Sequence, residues 1–139
     1  METNYCIKTA TISTPFESTT GVKQGCNLSP TLSNIFQNDM HQIFDERCSP
    51  VSVGQITCSS MSWADDLILF ATSHEGVQRC LKKLNEYVDK MGLGINVTKS
   101  KYMILCKGKC KLQCLYIGGD QIEYVTRYKY LGFMISSNG

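Results

Sequence analysis

The chain has 139 residues, of which 42% are apolar and 19% charged, a globular composition and enough chain for one domain. That balance excludes a wholly disordered tail and a coiled coil, and the longest apolar runs, 67–71 and 102–106, are far shorter than the roughly 20 residues a membrane-spanning helix needs. Fourteen Lys and Arg against twelve Asp and Glu leave a net charge of +2, too mild by itself to name a nucleic-acid partner.

The opening Met1-Glu2-Thr3-Asn4 lacks the basic start and apolar segment of a secretory signal, so an intracellular location, nucleus or cytoplasm, is expected. Without export, the eight scattered cysteines read mostly as reduced, small apolar residues. Residues 4–22 carry two Thr- and Ile-rich runs around Ser13-Thr14-Pro15, which predict a hairpin. A Gly-flanked loop follows, from Gly21 through Gln24 and Gly25 to Leu28. Its two glycines, four residues apart, let backbone approach a ligand closely. Ser29 is a favoured N-cap and Pro30 a favoured first helical residue. Leu32, Ile35, Phe36, Met40, Ile43 and Phe44 then fall at three- and four-residue steps, predicting one amphipathic helix over about 30–46.

Residues 48–55 read as a connector. Two β-prone runs follow, 56–62 and 67–71, with Trp63-Ala64-Asp65-Asp66 between them as a tight hairpin tip. Asp65 and Asp66 form the only Asp-Asp pair in the chain. Adjacent carboxylates repel unless a cation or water separates their charges. Hard oxygen ligands on a short turn suit Mg²⁺, and two such ions about 4 Å apart serve phosphoryl transfer. Asp is also an ordinary turn residue. Here, however, its shoulders are apolar, Trp63-Ala64 before and Leu67-Ile68-Leu69-Phe70 after.

Thr72-Ser73-His74-Glu75 fits a capping box at the start of a second helix. Val77, Leu81, Leu84, Val88 and Met91 line one face of it, Lys82, Lys83, Glu86, Asp89 and Lys90 lie elsewhere, and Gly92 ends it. From 90 to 119 there is no acid but there are six lysines. A strand is predicted over 95–105. Lys99, with Lys101, follows a Gly-rich bend and could neutralise a phosphate or donate it a proton. The same lysines also fit a plain solvated face. Cys106, Cys110 and Cys114, with Cys80 or His74, admit a zinc site. The last third, 111–136, reads as two or three strands with turns at Gly118-Gly119-Asp120 and Asn138-Gly139. The class is α+β.

Taken in order, these segments resemble the reverse transcriptase domain of non-LTR (LINE-type) retrotransposons. Gly21-Val22-x-Gln24-Gly25-x-x-Leu28-Ser29-Pro30 is similar to motif B of that family. Trp63-Ala64-Asp65-Asp66 is similar to motif C, with Trp where Tyr or Phe is usual. Gly92-Leu93-x-Ile95-Asn96-x-x-Lys99-Ser100-Lys101 resembles motif D, and Tyr128-Lys129-Tyr130-Leu131-Gly132 the Tyr-Leu-Gly element of motif E. The resemblance implies a right-hand polymerase palm, a ferredoxin-like βαββαβ arrangement, and template-directed nucleotidyl transfer with two Mg²⁺. Asp65 and Asp66 would hold metal. Gln24, Gly25, Ser29, Pro30, Trp63 and Lys101 would contact template or nucleotide. Lys99 would sit by departing pyrophosphate, and Tyr130, Leu131 and Gly132 would support the primer. RNA template, DNA primer and dNTP are the implied partners, with no membrane.

Motif A, a strand bearing a further metal-binding Asp, lies upstream of motif B in this family. Only 20 residues precede Gly21, and none is Asp. The expected architecture is therefore one partial domain: a hairpin at 4–22, a palm lacking its first strand at 23–110, and a motif E hairpin at 111–139. The missing upstream fingers and motif A region would be its partner. On its own the chain is expected to be marginally stable and inactive, and to bind Mg²⁺ weakly or not at all, because two carboxylates alone hold the ion poorly. The other reading is a retroelement remnant that at most binds nucleic acid through its lysines.

Overall fold

A computed structural model describes residues 3–6, 8, 11–18, 27–106, 108 and 110–138. The chain divides into two compact units, Met1–Asn38 and Asp39–Gly139. In the first, β1 (Thr3–Tyr5) and β2 (Phe16–Ser18) pair antiparallel, Thr3 opposite Ser18, as the predicted hairpin requires. Helix α1 (Ser29–Phe36) has Pro30 in its first turn, but Leu28, not Ser29, is the N-cap. The single helix expected over 30–46 is not formed. It stops at Phe36, and Met40–Ile43 and Glu46–Cys48 are separate 3-10 turns. Asn38 and Asp39 interrupt it: both are poor helix-interior residues, and the Asp39 side chain is engaged away from the helix. Asp39 accepts a 2.7 Å bond from the Tyr87 hydroxyl. The apolar positions Leu32 and Ile35 remain exposed, whereas Met40 and Phe44 are buried in the second unit.

The second unit is built on α2 (His74–Lys90). Its cap is Ser73, whose hydroxyl accepts from Gly76 N–H at 3.0 Å, and not Thr72. Thr72 is engaged instead with the Ser49 carbonyl, through both its N–H and its hydroxyl. At the other end Gly92, at φ +67°, lets Leu93 N–H reach back to the Val88 carbonyl at 2.8 Å. Cys80, Leu81, Leu84, Tyr87 and Val88 of α2 form the core with Met40, Phe44 and Cys48 and with Leu115, Ile117 and Ile122; Val77 and Met91 pack against it. Gly76 allows close approach: a Cβ there would lie 2.5 Å from the Cys48 carbonyl oxygen.

Lys83 and its neighbours are not merely a solvent face. Arg79, Lys83 and Tyr87, one helical turn apart, hold the segment that runs antiparallel to α2. Arg79 donates to the Arg47 carbonyl, Lys83 to the Ile43 carbonyl and the Asp45 carboxylate, and Tyr87 to Asp39.

The predicted connector at 48–55 contains a strand. β3 (Val51–Val53) and β4 (Ile56–Cys58) form a hairpin around Gly54, which sits at φ +63°. β5 (Ser60–Trp63) and β6 (Asp66–Leu69) form the predicted acidic hairpin, with Trp63 opposite Asp66. The strand expected over 95–105 shrinks to β7 (Lys101–Tyr102). Asn96 is the reason: its side-chain oxygen accepts from Thr98 Oγ1 and Lys99 N–H, and its carbonyl from Ser100, which coils 96–100 into a turn.

β8 (Leu115–Ile117) and β9 (Asp120–Tyr124) pair antiparallel through Gly118-Gly119, and β7 joins β9 in parallel, giving the order β7-β9-β8. β8 is an edge, and α2 covers it. Gln78 donates to the Tyr116 carbonyl at 2.7 Å and accepts from its N–H at 2.9 Å, while His74 Nε2 donates to the Cys114 carbonyl. Side chains one turn apart on the helix thus occupy backbone groups of Tyr116 in the strand and of Cys114 just before it, which blocks strand addition there. β10 (Arg127–Tyr130) and β11 (Phe133–Ser136) form a last hairpin. Its turn is Leu131-Gly132, which the sequence reading did not place; Asn138 lies in a further turn, as expected, and Gly139 is outside the described residues. Among the described residues the strands thus form separate small sheets, four of two strands in order β1-β2, β3-β4, β5-β6 and β10-β11, beside the three-stranded one.

Candidate active site

The acidic pair stands where the sequence places it. Ala64 and Asp65 are the two-residue turn between β5 and β6, and Asp66 opens β6. Ala64 sits at φ +52°, a left-handed conformation in which glycine would be unstrained. Both carboxylates are exposed, and so is Trp63, at 67%. Cross-strand partners share a face, so Met61, Trp63, Asp66 and Ile68 lie on one side of the hairpin and Ser60, Ser62, Leu67 and Leu69 on the other. Leu67 and Leu69 pack against the core.

The two lysines separate. Lys101 is half-buried, and its ammonium is 2.7 Å from the Glu123 carboxylate and donates to the Thr98 carbonyl at 2.7 Å. Lys99 is exposed, on the turn that Asn96 makes. Tyr130 pairs with Phe133, and Leu131 and Gly132 are the turn between them, at φ +47° and +89°. Ser29 and Pro30 lie in α1 of the first unit. Gln24 and Gly25 lie outside the described residues.

The cysteine spacing does not assemble a zinc site among the described residues, where no three His, Cys, Asp or Glu side chains converge. Cys106 and Cys110 are joined as a disulfide, so these two are not reduced as expected. Cys114 Sγ accepts from Gln121, and His74 goes to the Cys114 carbonyl. Cys6, Cys48, Cys58, Cys80 and Cys114 are free thiols. Burial pushes the Cys80 thiol up to about 12, with Cys48 beside it adding to the shift, which leaves it inert as a nucleophile.

One residue at this hairpin escaped the sequence reading. His41 bridges β5: Nδ1 is 2.8 Å from Ser60 Oγ and Nε2 is 2.9 Å from Ser62 Oγ. Its signal was the pair of serines alternating on what becomes the inward face of a strand, where apolar residues are the rule.

Across the chain, the family model described as reverse transcriptase (RNA-dependent DNA polymerase) matches residues 3–135. The chain belongs to the reverse transcriptase family. Its similarity is to retrotransposon polyproteins of the non-LTR kind. It is 31% identical over 129 residues to the retrovirus-related Pol polyprotein from type-2 retrotransposable element R2DM of Drosophila melanogaster, which covers 86% of this chain and 12% of that protein. Identity is 36% over 88 residues, 56% of this chain and 18% of the relative, to the Pol polyprotein from type-1 retrotransposable element R2 of Popillia japonica. For the corresponding protein of Nasonia vitripennis it is 27% over 129 residues, 86% of this chain and 12% of the relative. This reverse transcriptase segment therefore spans about an eighth of the length of the Drosophila and Nasonia relatives. No helix among the described residues is long and apolar enough to cross a membrane.

Proposed function

We propose that this segment is part of the palm of an RNA-directed DNA polymerase that copies an RNA template onto a DNA primer. The observation that carries the reading is the adjacent Asp65 and Asp66, exposed at the tip of a two-residue hairpin turn, within a chain that matches the reverse transcriptase family over 3–135. The order α1, β5–β6, α2, β7 supports a palm of the ferredoxin-like type lacking its first strand. Neither β5 nor β6 has a second strand partner among the described residues, which leaves an edge for a central strand. We assign 4–22 to an N-terminal hairpin, 23–110 to the palm and 111–139 to the motif E hairpin.

The donor chemistry at the tip fits Mg²⁺, which takes one or two carboxylates and completes its shell with water and substrate phosphates. Asp65 and Asp66 would hold it. When bound, the ion stabilises charge on the attacking and leaving oxygens of nucleotidyl transfer. The chain's own residues do the remaining work. Lys99 places an exposed ammonium to neutralise the departing pyrophosphate or donate a proton from Nζ. Lys101, paired with Glu123, acts on template or nucleotide by steadying the motif D turn rather than as a free cation. Tyr130, Leu131 and Gly132 support the primer end, Trp63 flanks it, and Gln24, Gly25, Ser29 and Pro30 shape the template and nucleotide pocket.

The test is primer extension on an RNA template by the entire open reading frame that carries this segment. Asp65→Asn should lower the rate about a hundredfold or more, the scale on which a charge-stabilising group matters. Lys99→Ala should cost about tenfold to a hundredfold. Extension that survives Asp65→Asn and Asp66→Asn together overturns the reading.

A further inference from the structure

A hairpin of two short strands is marginal alone, so something must set the angle at which it carries its tip. On the β6 side Leu67 and Leu69 supply contact with the core. On the β5 side the same face offers only Ser60 and Ser62. Both hydroxyls go to the two nitrogens of one imidazole, at 2.8 and 2.9 Å.

His41 itself is held on a fixed base. It belongs to the 3-10 turn Met40–Ile43, whose Met40 is buried in the core. On one side of that turn Tyr87 bonds Asp39, and at its end Lys83 bonds the Ile43 carbonyl, so two α2 side chains grip it around His41. The imidazole thus ties the strand entering the acidic turn to the helix at the centre of the unit. A neutral ring offers one donor and one acceptor, and a serine hydroxyl serves as either, so both tautomers satisfy the bridge. Ser62 directly precedes Trp63, which pairs with Asp66.

We propose that His41 is a positioning residue that sets the orientation of the β5–β6 hairpin and so the placement of Asp65 and Asp66. The functional weight of this inference rests on the metal-binding reading of the acidic pair; the structural link does not. It fits side chains that present two hydrogen-bonding atoms on a short planar group, so Asn or Gln should substitute in part and Phe should not.

The chain's single tryptophan, Trp63, makes the test direct in the 139-residue protein. Mn²⁺ is titrated against the protein while the Trp63 indole and the amides of 64–66 are followed by ¹H–¹⁵N NMR. His41→Phe should shift the 64–66 amides and raise the Mn²⁺ midpoint about threefold, the scale of one lost hydrogen-bonded link. His41→Gln should recover most of both effects, and Ser60→Ala with Ser62→Ala should reproduce the loss. Should His41→Phe fail to fold, Ser62→Ala alone breaks one arm of the bridge and is read the same way. Unchanged 64–66 amides in a folded bridge-broken variant overturn the proposal, even if stability falls. Amides that shift at an unaltered Mn²⁺ midpoint overturn it as a claim about the site. Asp65→Asn is the separate control: if wild type shows no Mn²⁺ broadening, or Asp65→Asn leaves it intact, the metal reading fails while the amide shifts still decide the positioning of the hairpin.

Discussion

The hairpins β5–β6 and β10–β11 have the same local design and different anchoring. Each closes through two residues, and each puts a non-glycine residue at positive φ, Ala64 in one and Leu131 in the other. The first hairpin sends Leu67 and Leu69 to the core and is tied through Ser60 and Ser62 to His41. The second contributes no residue to the core, and Phe133, at 78% exposed, Met134 and Ile135 face solvent. Its two faces differ: Tyr128, Tyr130, Phe133 and Ile135 share one, Arg127, Lys129, Met134 and Ser136 the other. A tight turn is specified by neighbours in the chain, whereas the direction in which it points depends on what its strands pack against.

The largest effect should separate the two hairpins by core contact. Leu69→Ala should cost about 2 kcal/mol, and Ile135→Ala less than about 0.5 kcal/mol, in urea unfolding monitored by circular dichroism. Equal costs would mean that β10–β11 is as firmly held as β5–β6.

Next comes the upstream anchor, which serves only the first hairpin. Tyr87→Phe removes the bond to Asp39 and should cost about 1 kcal/mol at neutral pH. Burial, then the hydrogen bond and charge of Asp39, pushes the Tyr87 phenol up to about 12. A group whose pKa is raised on folding contributes its stability below the unfolded value, near 10, and loses it as pH rises through the folded one. Wild type should therefore lose stability between pH 10 and about 12, and Tyr87→Phe should flatten that limb. A parallel limb in both proteins would break the assignment.

The turns themselves should respond alike. Ala64→Gly and Leu131→Gly should each gain about 0.5 to 1 kcal/mol in thermal unfolding by relieving left-handed backbone, offset in part by greater freedom of the unfolded chain. A gain at one turn alone would show that strain is not purely local.

The smallest effect lies at Asp45. The hydrogen bond from Lys83 leads the causes that hold its carboxyl below the usual value. Such a group contributes stability above its unfolded pKa and loses it as pH falls through the depressed folded one. Wild type should therefore lose this contribution as pH falls below about 4, and Asp45→Asn should be slightly less stable at neutral pH, draw level with wild type in acid and show a flatter slope. The difference should shrink in high salt, because Asp45 is exposed and Lys83 only half-buried.

Much of the candidate site was legible because its signals are local. The acidic turn needs only two β-prone runs around Ala64-Asp65, and α2 needs only the stepping of Val77, Leu81, Leu84 and Val88 before Gly92. Where the reading missed, a local preference met a competing partner. Thr72 looked like a cap until Ser49 took its hydroxyl, and Lys101 looked like a free cation until Glu123 took its ammonium. The strand expected over 95–105 lost its first half to the Asn96 turn, a short-range competitor that periodicity does not weigh.

By itself, the sequence determined the α+β class, the acidic hairpin and the long amphipathic helix, carried by spacing and by residue types that act within a few positions; its likeness to the reverse transcriptase family rests on the order of four motifs along the chain. Only the tertiary structure decided that the helix expected over 30–46 divides at Asn38 and Asp39, that Arg79, Lys83 and Tyr87 grip the segment opposite α2, and that His41 bridges two serines beside the acidic turn. The physical reason is range. Capping, turn and periodicity preferences act within one or two turns of chain, while those bonds join residues some twenty to fifty positions apart, where any polar side chain of suitable reach could have served and only the packed core selects which one does.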